Sequence, residues 1–345
     1  MAQVGHQITL IVADGLPIER IKEVEIRSVP RCRGRISRMF FTTWRVYREA
    51  RRVHADLYHL HDPELIGVGL VLRAWGSRVV FDAHEDLPKQ VLHKPYLPTW
   101  TRPIVGIMVQ KFLKLCLPCF SGLIGAEPLI ADWLRSFHPR TVEVKNFPII
   151  NEISMRAVNP RRGPFHSVCY IGALSRARGI VELAKAVVDF PEGIDLVLAG
   201  EFEDELLWKE IQGMPSSARI HYLGVLDRDG VQRVLAESLA GMAVLHPTPK
   251  YTEAYPTKLF EYWSAGLPVI ISDFPLWRQL AGNGKYGIFV DPMDPLAIAG
   301  AVRWLCDNPE LAQEMGQRCR EVVLAKYSWE DEARRLVSFV EELNK

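Results

Sequence analysis

Apolar and polar positions follow two rhythms along this chain. Short apolar runs, many of them β-branched, end in polar residues or glycine: "ITLIVAD" (8–14), "DLYHLHD" (56–62), "RVVFDAHE" (78–85) and "GLIGAE" (122–127). The second half repeats the pattern with "SVCYIGAL" (167–174), "IDLVLAG" (194–200), "RIHYLGVL" (219–226), "GMAVLHP" (241–247), "LPVIISD" (267–273) and "YGIFVDP" (286–292). Such runs read as buried strands. Between them, "GIVELAKAVVDF" (179–190), "VQRVLAESL" (231–239), "KLFEYWSA" (258–265) and the long stretch 295–327 place apolar residues at helical spacing. Strand–helix–strand alternation predicts parallel sheets covered on both faces. From Lys145 to Pro164 the periodicity lapses and Pro, Asn and Arg accumulate, as in a domain linker. The expected fold is α/β, with two doubly wound Rossmann-like domains facing across a cleft. Their bounds are 1–147 and 165–326, with a linker at 148–164 and a final segment at 327–345. Ligands of such folds sit at the carboxyl ends of the strands.

Composition changes this picture little. The 345 residues are enough for two cores. Hydrophobic residues at 48% and charged residues at 24% are ordinary for a soluble globular protein, and a net charge of +1 leaves only local clusters to speak of partners. Six cysteines in this length suggest a reducing compartment. Met1 to Leu10 lacks a basic leader with an apolar run, and the uncharged run Leu65 to Leu72 is too short to span a bilayer. A cytoplasmic location is expected.

The stretch "EAYPTKLFEYWSAGLPVI" (253–270) carries the candidate chemistry. Pro256 suits a first helical position and Gly266 a position just past the helix end, which predicts a helix over about 256–265. Lys258 falls in the first turn, and Glu261, three residues on, shares its face. A cation there opposes the helix dipole, so an anion should compensate. A diphosphate fits, drawn by free N–H groups and by Lys258. Glu261 can then accept hydrogen bonds from vicinal hydroxyls, as on a ribose, and Glu253 can do the same for a second polyol. The alternative is an exposed Lys258–Glu261 ion pair worth under ~1 kcal/mol.

This stretch resembles the E-x7-E region of retaining glycosyltransferases of the GT-B fold, the large family that includes sucrose synthases and many polysaccharide-building enzymes. Glu253 and Glu261 match the two glutamates. "KLFEYWSAGLPVI" is similar to the form in bacterial capsule and O-antigen transferases. "YIGALSRARGIVELAKAV" (170–187) is similar to the first strand and loop of the family's nucleotide domain, and "DLYHLHDPEL" and "VVFDAHEDLP" to acceptor-domain segments. "YSWEDEARRLVSFVEEL" looks like the terminal helix that crosses back onto the N-terminal domain. By position, the resemblance implies that Glu261 binds the ribose, while Glu253 and the backbone after it, with Pro256 and Thr257, hold the donor. Lys258 and Arg178 would neutralise the diphosphate, and Gly172 would let the backbone approach it. His84 would stand near the anomeric carbon. Residues 1–147 would bind the acceptor and 165–326 the nucleotide-sugar.

Two departures from the family pattern stand out. Ala173 occupies a position where the family often has an arginine, so Arg176 or Arg178 would supply that charge. The family also begins with a strand, a glycine-rich loop and a helix before a segment like "GHQITLIVAD", which here starts at residue 5. A strand–loop–helix unit is therefore expected to be missing, with another segment or a partner protein in its place.

The implied reaction moves a hexosyl group from a nucleoside diphosphate to an acceptor hydroxyl with retention. The donor would be a UDP-, GDP- or other NDP-sugar, and the acceptor a saccharide, lipid-linked in surface polysaccharide or lipopolysaccharide synthesis. No cofactor and no metal ligand set is expected at this site.

Other features fit less chemistry. "HLHD" (59–62) and "HED" (84–86) offer metal-type ligands, but the rest of a set is not evident and the second histidine of an H-E-x-x-H helix is lacking. Residues 31–52 hold eight arginines and one acid, Glu49, with interleaved aromatics; residues 93–118 are also basic and aromatic. A solvated helix face is one reading. Attraction to anionic lipid is the other, and would dock the chain peripherally on the inner face of the plasma membrane. No nucleic-acid-reading module is recognisable. "CLPC" (116–119) follows an apolar helix and reads as packing. The competing functions are a non-catalytic sugar-nucleotide-binding subunit, a metal-dependent hydrolase using HLHD/HED, and a sugar-nucleotide epimerase of the same fold.

Overall fold

The computed structural model describes residues 1–34, 37–92, 97–149 and 167–344, apart from the Lys250 side chain. The chain divides into two units, Met1–Asn146 with Asp331–Lys345, and Phe147–Glu330. The linker expected at 148–164 lies, from residue 150 on, outside the described residues.

The first unit contains two sheets. Strands β1 (Ile8–Val12), β2 (Glu19–Ile21) and β3 (Val24–Ser28) form a small sheet of order β1-β3-β2, with β1 parallel and β2 antiparallel to β3. Strands β4 (Leu57–Leu60), β5 (Arg78–Ala83), β6 (Gly122–Gly125) and β7 (Thr141–Glu143) form a parallel sheet in chain order. The patterning predicts β1, β4, β5 and β6. It misses the β2–β3 hairpin, whose two-residue turn is Lys22-Glu23 with Lys22 at φ 55°. That turn lacks the Asn-Gly chemistry that announces a tight hairpin. The core gathers Ile66, Leu72, Val79, Phe81, Leu113 and Leu117, all 1% exposed or less.

The C-terminal helix, Trp329–Asn344, belongs to this unit from Asp331 on. Phe339 and Leu343 sit against Gly122 of β6. Buried Glu332 accepts the Lys145 backbone N–H at 3.0 Å and pairs with Arg335 at 2.8 Å. A buried carboxylate is tolerated because it is held this way.

The second unit is one six-stranded parallel sheet. Its strands are β8 (Ser167–Ile171), β9 (Asp195–Ala199), β10 (Ile220–Tyr222), β11 (Ser238–Ala243), β12 (Val269–Ser272) and β13 (Gly287–Val290), in the order β10-β9-β8-β11-β12-β13. Side chains alternate between two cores. Val168, Tyr170, Met242 and Ile270 belong to one, and Cys169, Ala243, Val269 and Ile271 to the other. Both faces are therefore covered, which is why the strands read as continuous apolar runs. Asp204 and Asp227 cap the helices Glu205–Gln212 and Arg228–Glu237, accepting the N–H of Leu207 at 2.7 Å and of Gly230 at 2.8 Å. The long helical stretch at 295–327 is two helices, Pro295–Asp307 and Pro309–Lys326, parted at Asn308 where Pro309 restarts the chain. No helix among the described residues is long and apolar enough to cross a membrane.

Candidate functional site

In the second sheet the chain order reverses between β8 and β11, and the strand ends beside such a switch point hold ligands in open parallel sheets. Gly172 follows β8 directly, with φ 136°, a conformation open to glycine. A Cβ at Gly172 would collide with Lys258 Nζ, so the absent side chain is the space that the ammonium fills. Lys258 Nζ also lies 5.6 Å from the centre of the Tyr170 ring. Arg178 comes from the loop after β8 and donates from Nη1 to Tyr170 Oη at 3.4 Å. The same Nη1 is 3.8 Å from where the Gly172 Cβ would stand. Two cations thus converge on one glycine.

The helix that carries Lys258 is fixed by its buried face. It spans Thr257–Ser264, and Leu259, Phe260, Tyr262 and Trp263 are buried. The Tyr262 ring lies over Gly241 of β11, where any Cβ would strike it. Its hydroxyl accepts the Ile171 N–H at 3.1 Å, one residue before Gly172. Trp263 Nε1 donates to the Tyr286 carbonyl at 3.0 Å, and Trp277 Nε1 to the Ala254 carbonyl at 2.9 Å. Pro256 stands just before the helix (φ −79°, ψ 95°) instead of inside it, a one-residue correction to the predicted start. No side chain caps this helix start, and its first turn holds no acid. Orphan N–H groups of this kind attract anions.

The exposed Lys258–Glu261 ion pair does not form: among the described residues, Lys258 has no ion-pair partner within 4 Å. Instead Lys258 is half-buried. Burial first, and Arg178 after it, push its pKa below the ordinary 10.5, with Glu261 opposing. Burial also works against the Arg178 charge, but the hydrogen bond to Tyr170 and the fields of Tyr170 and Tyr251 carry its pKa upward. Burial raises the Tyr170 hydroxyl, and Arg178 opposes it.

The other candidates fall as follows. Glu261 is half-buried, and its field reaches both Lys258 and Tyr170. Glu253 is exposed and ends the short helix Pro249–Thr252 on the segment leaving β11; Thr257 is exposed at the start of the Lys258 helix. Arg176 turns to Glu210, so of the two arginines it is Arg178 that reaches the glycine. Tyr170 and Tyr251 carry no signal of their own in the sequence: Tyr170 lies inside the apolar run "SVCYIGAL" and reads as core, and Tyr251 lies in a polar loop-like stretch.

His84 belongs to the first unit, after β5. There Asp82 of β5 is 8% exposed and faces three imidazoles. His59 Nε2 is 3.1 Å and His61 Nδ1 3.4 Å from Asp82 Oδ2, and His84 Nε2 is 3.6 Å from Asp82 Oδ1. The His61 and His84 rings approach at 3.5 Å between nitrogens, and Asn146 Nδ2 lies 3.4 Å from His84 Nδ1. Asp82 supplies what the sequence reading of "HLHD" and "HED" lacked; its signal was a charge inside the apolar strand "RVVFDA".

Two α/β domains with parallel sheets are the GT-B architecture, and the sequence matches say which proteins share it. Residues 1–144 match the family model described as Glycosyltransferase Family 4, and residues 152–322 the model described as Glycosyl transferases group 1. The chain carries these two glycosyltransferase domains in that order. D-rhamnosyltransferase WbpZ of Pseudomonas aeruginosa is 28% identical over 289 residues, spanning 79% of this chain and 70% of that protein. Sucrose-phosphate synthase from Thermosynechococcus elongatus superposes with a TM-score of 0.76 at 19% identity, covering 99% of this chain and 90% of that one. Anabaena HepE in complex with UDP-glucose superposes at 0.72 and 13% identity, covering 98% of this chain and all of that one (100%). At these identities the structures speak for the fold.

The state of Lys258 has a measurable consequence. Because its pKa is lowered on folding, the unfolded chain binds that proton more tightly. The buried charge therefore costs stability below the folded pKa, and the cost fades as pH rises toward 10.5. Lys258→Met keeps the side-chain length and removes the charge. At neutral pH it should raise the melting temperature of the ligand-free protein, by about 2–4 °C per kcal/mol of penalty removed. A calorimetric melting temperature equal to or below wild type would show that the ammonium is already compensated.

Proposed function

We propose that this chain moves a hexosyl group from a nucleoside-diphosphate sugar to a lipid-linked saccharide with retention, in surface polysaccharide synthesis. The observation that carries this reading is the convergence of Lys258 and Arg178 on Gly172, beside an uncapped helix start that holds no acid. Two cations without a carboxylate partner suit a diphosphate. Glu261, one turn deeper, accepts hydrogen bonds from the ribose hydroxyls in this reading. Glu253 and the backbone through Pro256 and Thr257 take the donor sugar. His84 keeps the catalytic role that the resemblance gives it. WbpZ, by its name a rhamnosyltransferase, and HepE, whose structure contains UDP-glucose, support a nucleotide-sugar donor.

In the reaction the bond from the anomeric carbon to the β-phosphate oxygen breaks. The acceptor oxygen bonds the same carbon, and its proton passes to the departing diphosphate. Negative charge grows on that leaving group. In this reading Lys258 and Arg178 stabilise it, and as they already converge on Gly172, little reorganisation is needed at the moment of transfer. Transfer is therefore expected to survive a chelator.

The acceptor side rests on exposed apolar residues. The helix Arg102–Cys116 buries Gly106, Leu113 and Cys116 but exposes Ile104, Ile107, Met108, Phe112 and Leu115, with Lys111 and Lys114 between them. Met39, Phe40, Phe41 and Trp44 are also exposed, in a stretch rich in arginine. An amphipathic basic helix of this kind lies in the surface of an anionic membrane, at the cytoplasmic face in this reading.

Labelled UDP- and GDP-sugars incubated with a bacterial lipid extract test the reaction. One donor should label a lipid product, and Lys258→Ala should lower kcat/KM by about 10²–10³. Donor binding without transfer to any acceptor would leave the non-catalytic subunit instead. Sedimentation with phosphatidylglycerol vesicles tests the docking face. Wild type should pellet at low salt and be released as salt screens the surface charge, whereas an Ile107→Ser, Leu115→Ser double variant should stay in solution. Equal pelleting of both proteins would contradict the docking helix.

A further inference from the structure

We propose that His59, His61 and Asp82 form a binding site for one divalent transition-metal ion of the zinc class. All three residues belong to the first unit, so the proposal stands whatever nucleotide the second unit takes.

The donors arise from adjacent strands in register. β4 pairs with β5 in parallel, with His59 opposite Val80 and Leu60 opposite Phe81. His61 continues β4 by one residue, so His59 and His61, two apart, share a sheet face, and Asp82 lies within β5 beside them. Pairing thus delivers two imidazoles and one carboxylate to the carboxyl end of the sheet. One donor atom from each lies within 4.8 Å of the others. The separations already resemble a coordination sphere. Donors on a tetrahedral zinc at about 2.0–2.1 Å stand roughly 3.3 Å apart. Here His59 Nε2 is 3.1 Å and His61 Nδ1 is 3.4 Å from Asp82 Oδ2.

The chemistry of the set agrees with the geometry. Two imidazole nitrogens and one carboxylate suit zinc and its neighbours over magnesium or calcium, which prefer all-oxygen shells. The carboxylate is almost fully buried, and its Oδ1 has no hydrogen-bond partner among the described residues; the group that approaches it is His84 Nε2 at 3.6 Å, beyond hydrogen-bond length. The His59 and His61 rings stack with centroids 4.2 Å apart, so no side chain stands between them. Three protein ligands leave a fourth position for water or a ligand oxygen, the pattern of open zinc sites. His84 Nε2, 3.5 Å from His61 Nδ1, borders that position.

The test is titration of tag-free, metal-stripped full chain with Co²⁺, followed by its visible ligand-field absorption and by calorimetry, with Zn²⁺ as competitor. Wild type should bind one equivalent with a tetrahedral-type spectrum that Zn²⁺ abolishes. Loss of a direct ligand exceeds the 10–100-fold effect of outer-sphere partners, so His59→Ala should weaken binding by at least about 100-fold. His61→Gln, at a side chain more than half exposed, keeps the test valid if Asp82 or His59 variants fail to fold, and should weaken binding similarly. Cys119→Ser, at an exposed free thiol, should change nothing. Binding that is equal in wild type and His61→Gln, or that is lost in Cys119→Ser, would overturn the site. So would the absence of stoichiometric binding in wild type.

Discussion

A half-buried ammonium without an ion-pair partner among the described residues is the constraint on which the second unit turns. Lys258 fills the space that Gly172 leaves, lies near the Tyr170 ring, and shares its surroundings with Arg178. Burial penalises its charge, and the ring face and the Glu261 field return only part of that cost. Structure elsewhere in the unit serves to keep the charge in place. Tyr262 ties the Lys258 helix to the Ile171 N–H, Gly241 makes room for the Tyr262 ring, and Trp263 and Trp277 anchor the helix and the loop before it. An anion bound beside Lys258 would supply the missing counter-charge.

The same logic assigns the neighbouring groups. The loop after β8 could send either of two arginines toward the glycine. Glu210 captures Arg176, which leaves Arg178 to bond Tyr170. The end of β11 is drawn to that loop as well, since the His246 N–H donates to the Ala177 carbonyl at 3.0 Å and its ring meets Glu182 at 2.8 Å. The two strand ends that flank the switch point are thus linked through backbone and side chain. The site is a property of the sheet order, because that order brings residues 172, 178 and 258 together from distant parts of the chain.

Much of this was legible in the sequence, for identifiable reasons. The central strands of the second sheet are covered on both faces and read as apolar runs, and "PTKLFEYWSAG" announces a helix with its own start and stop. What periodicity could not show depends on contacts across the fold. Tyr170 looks like core until Arg178 arrives from eight residues on. Asp82 looks like an odd charge in a strand until pairing of β4 with β5 places it among His59, His61 and His84. The β2–β3 hairpin was hidden because Lys22-Glu23 is not turn chemistry, and Ser238 and Leu239 passed for helix because an apolar strand start continues the helical pattern before it. Pairing and register, which decide such cases, are long-range properties.

The central claim, an anion site built on Lys258 with Glu261 behind it, is tested most directly by thermal unfolding in the presence of UDP, GDP, ADP and dTDP. One nucleotide at 100 times its dissociation constant should stabilise wild type by about 2.7 kcal/mol. That gain should vanish in both Lys258→Ala and Glu261→Ala. A gain retained in both variants, or no gain with any of the four nucleotides in a cooperatively folded protein, would contradict the account.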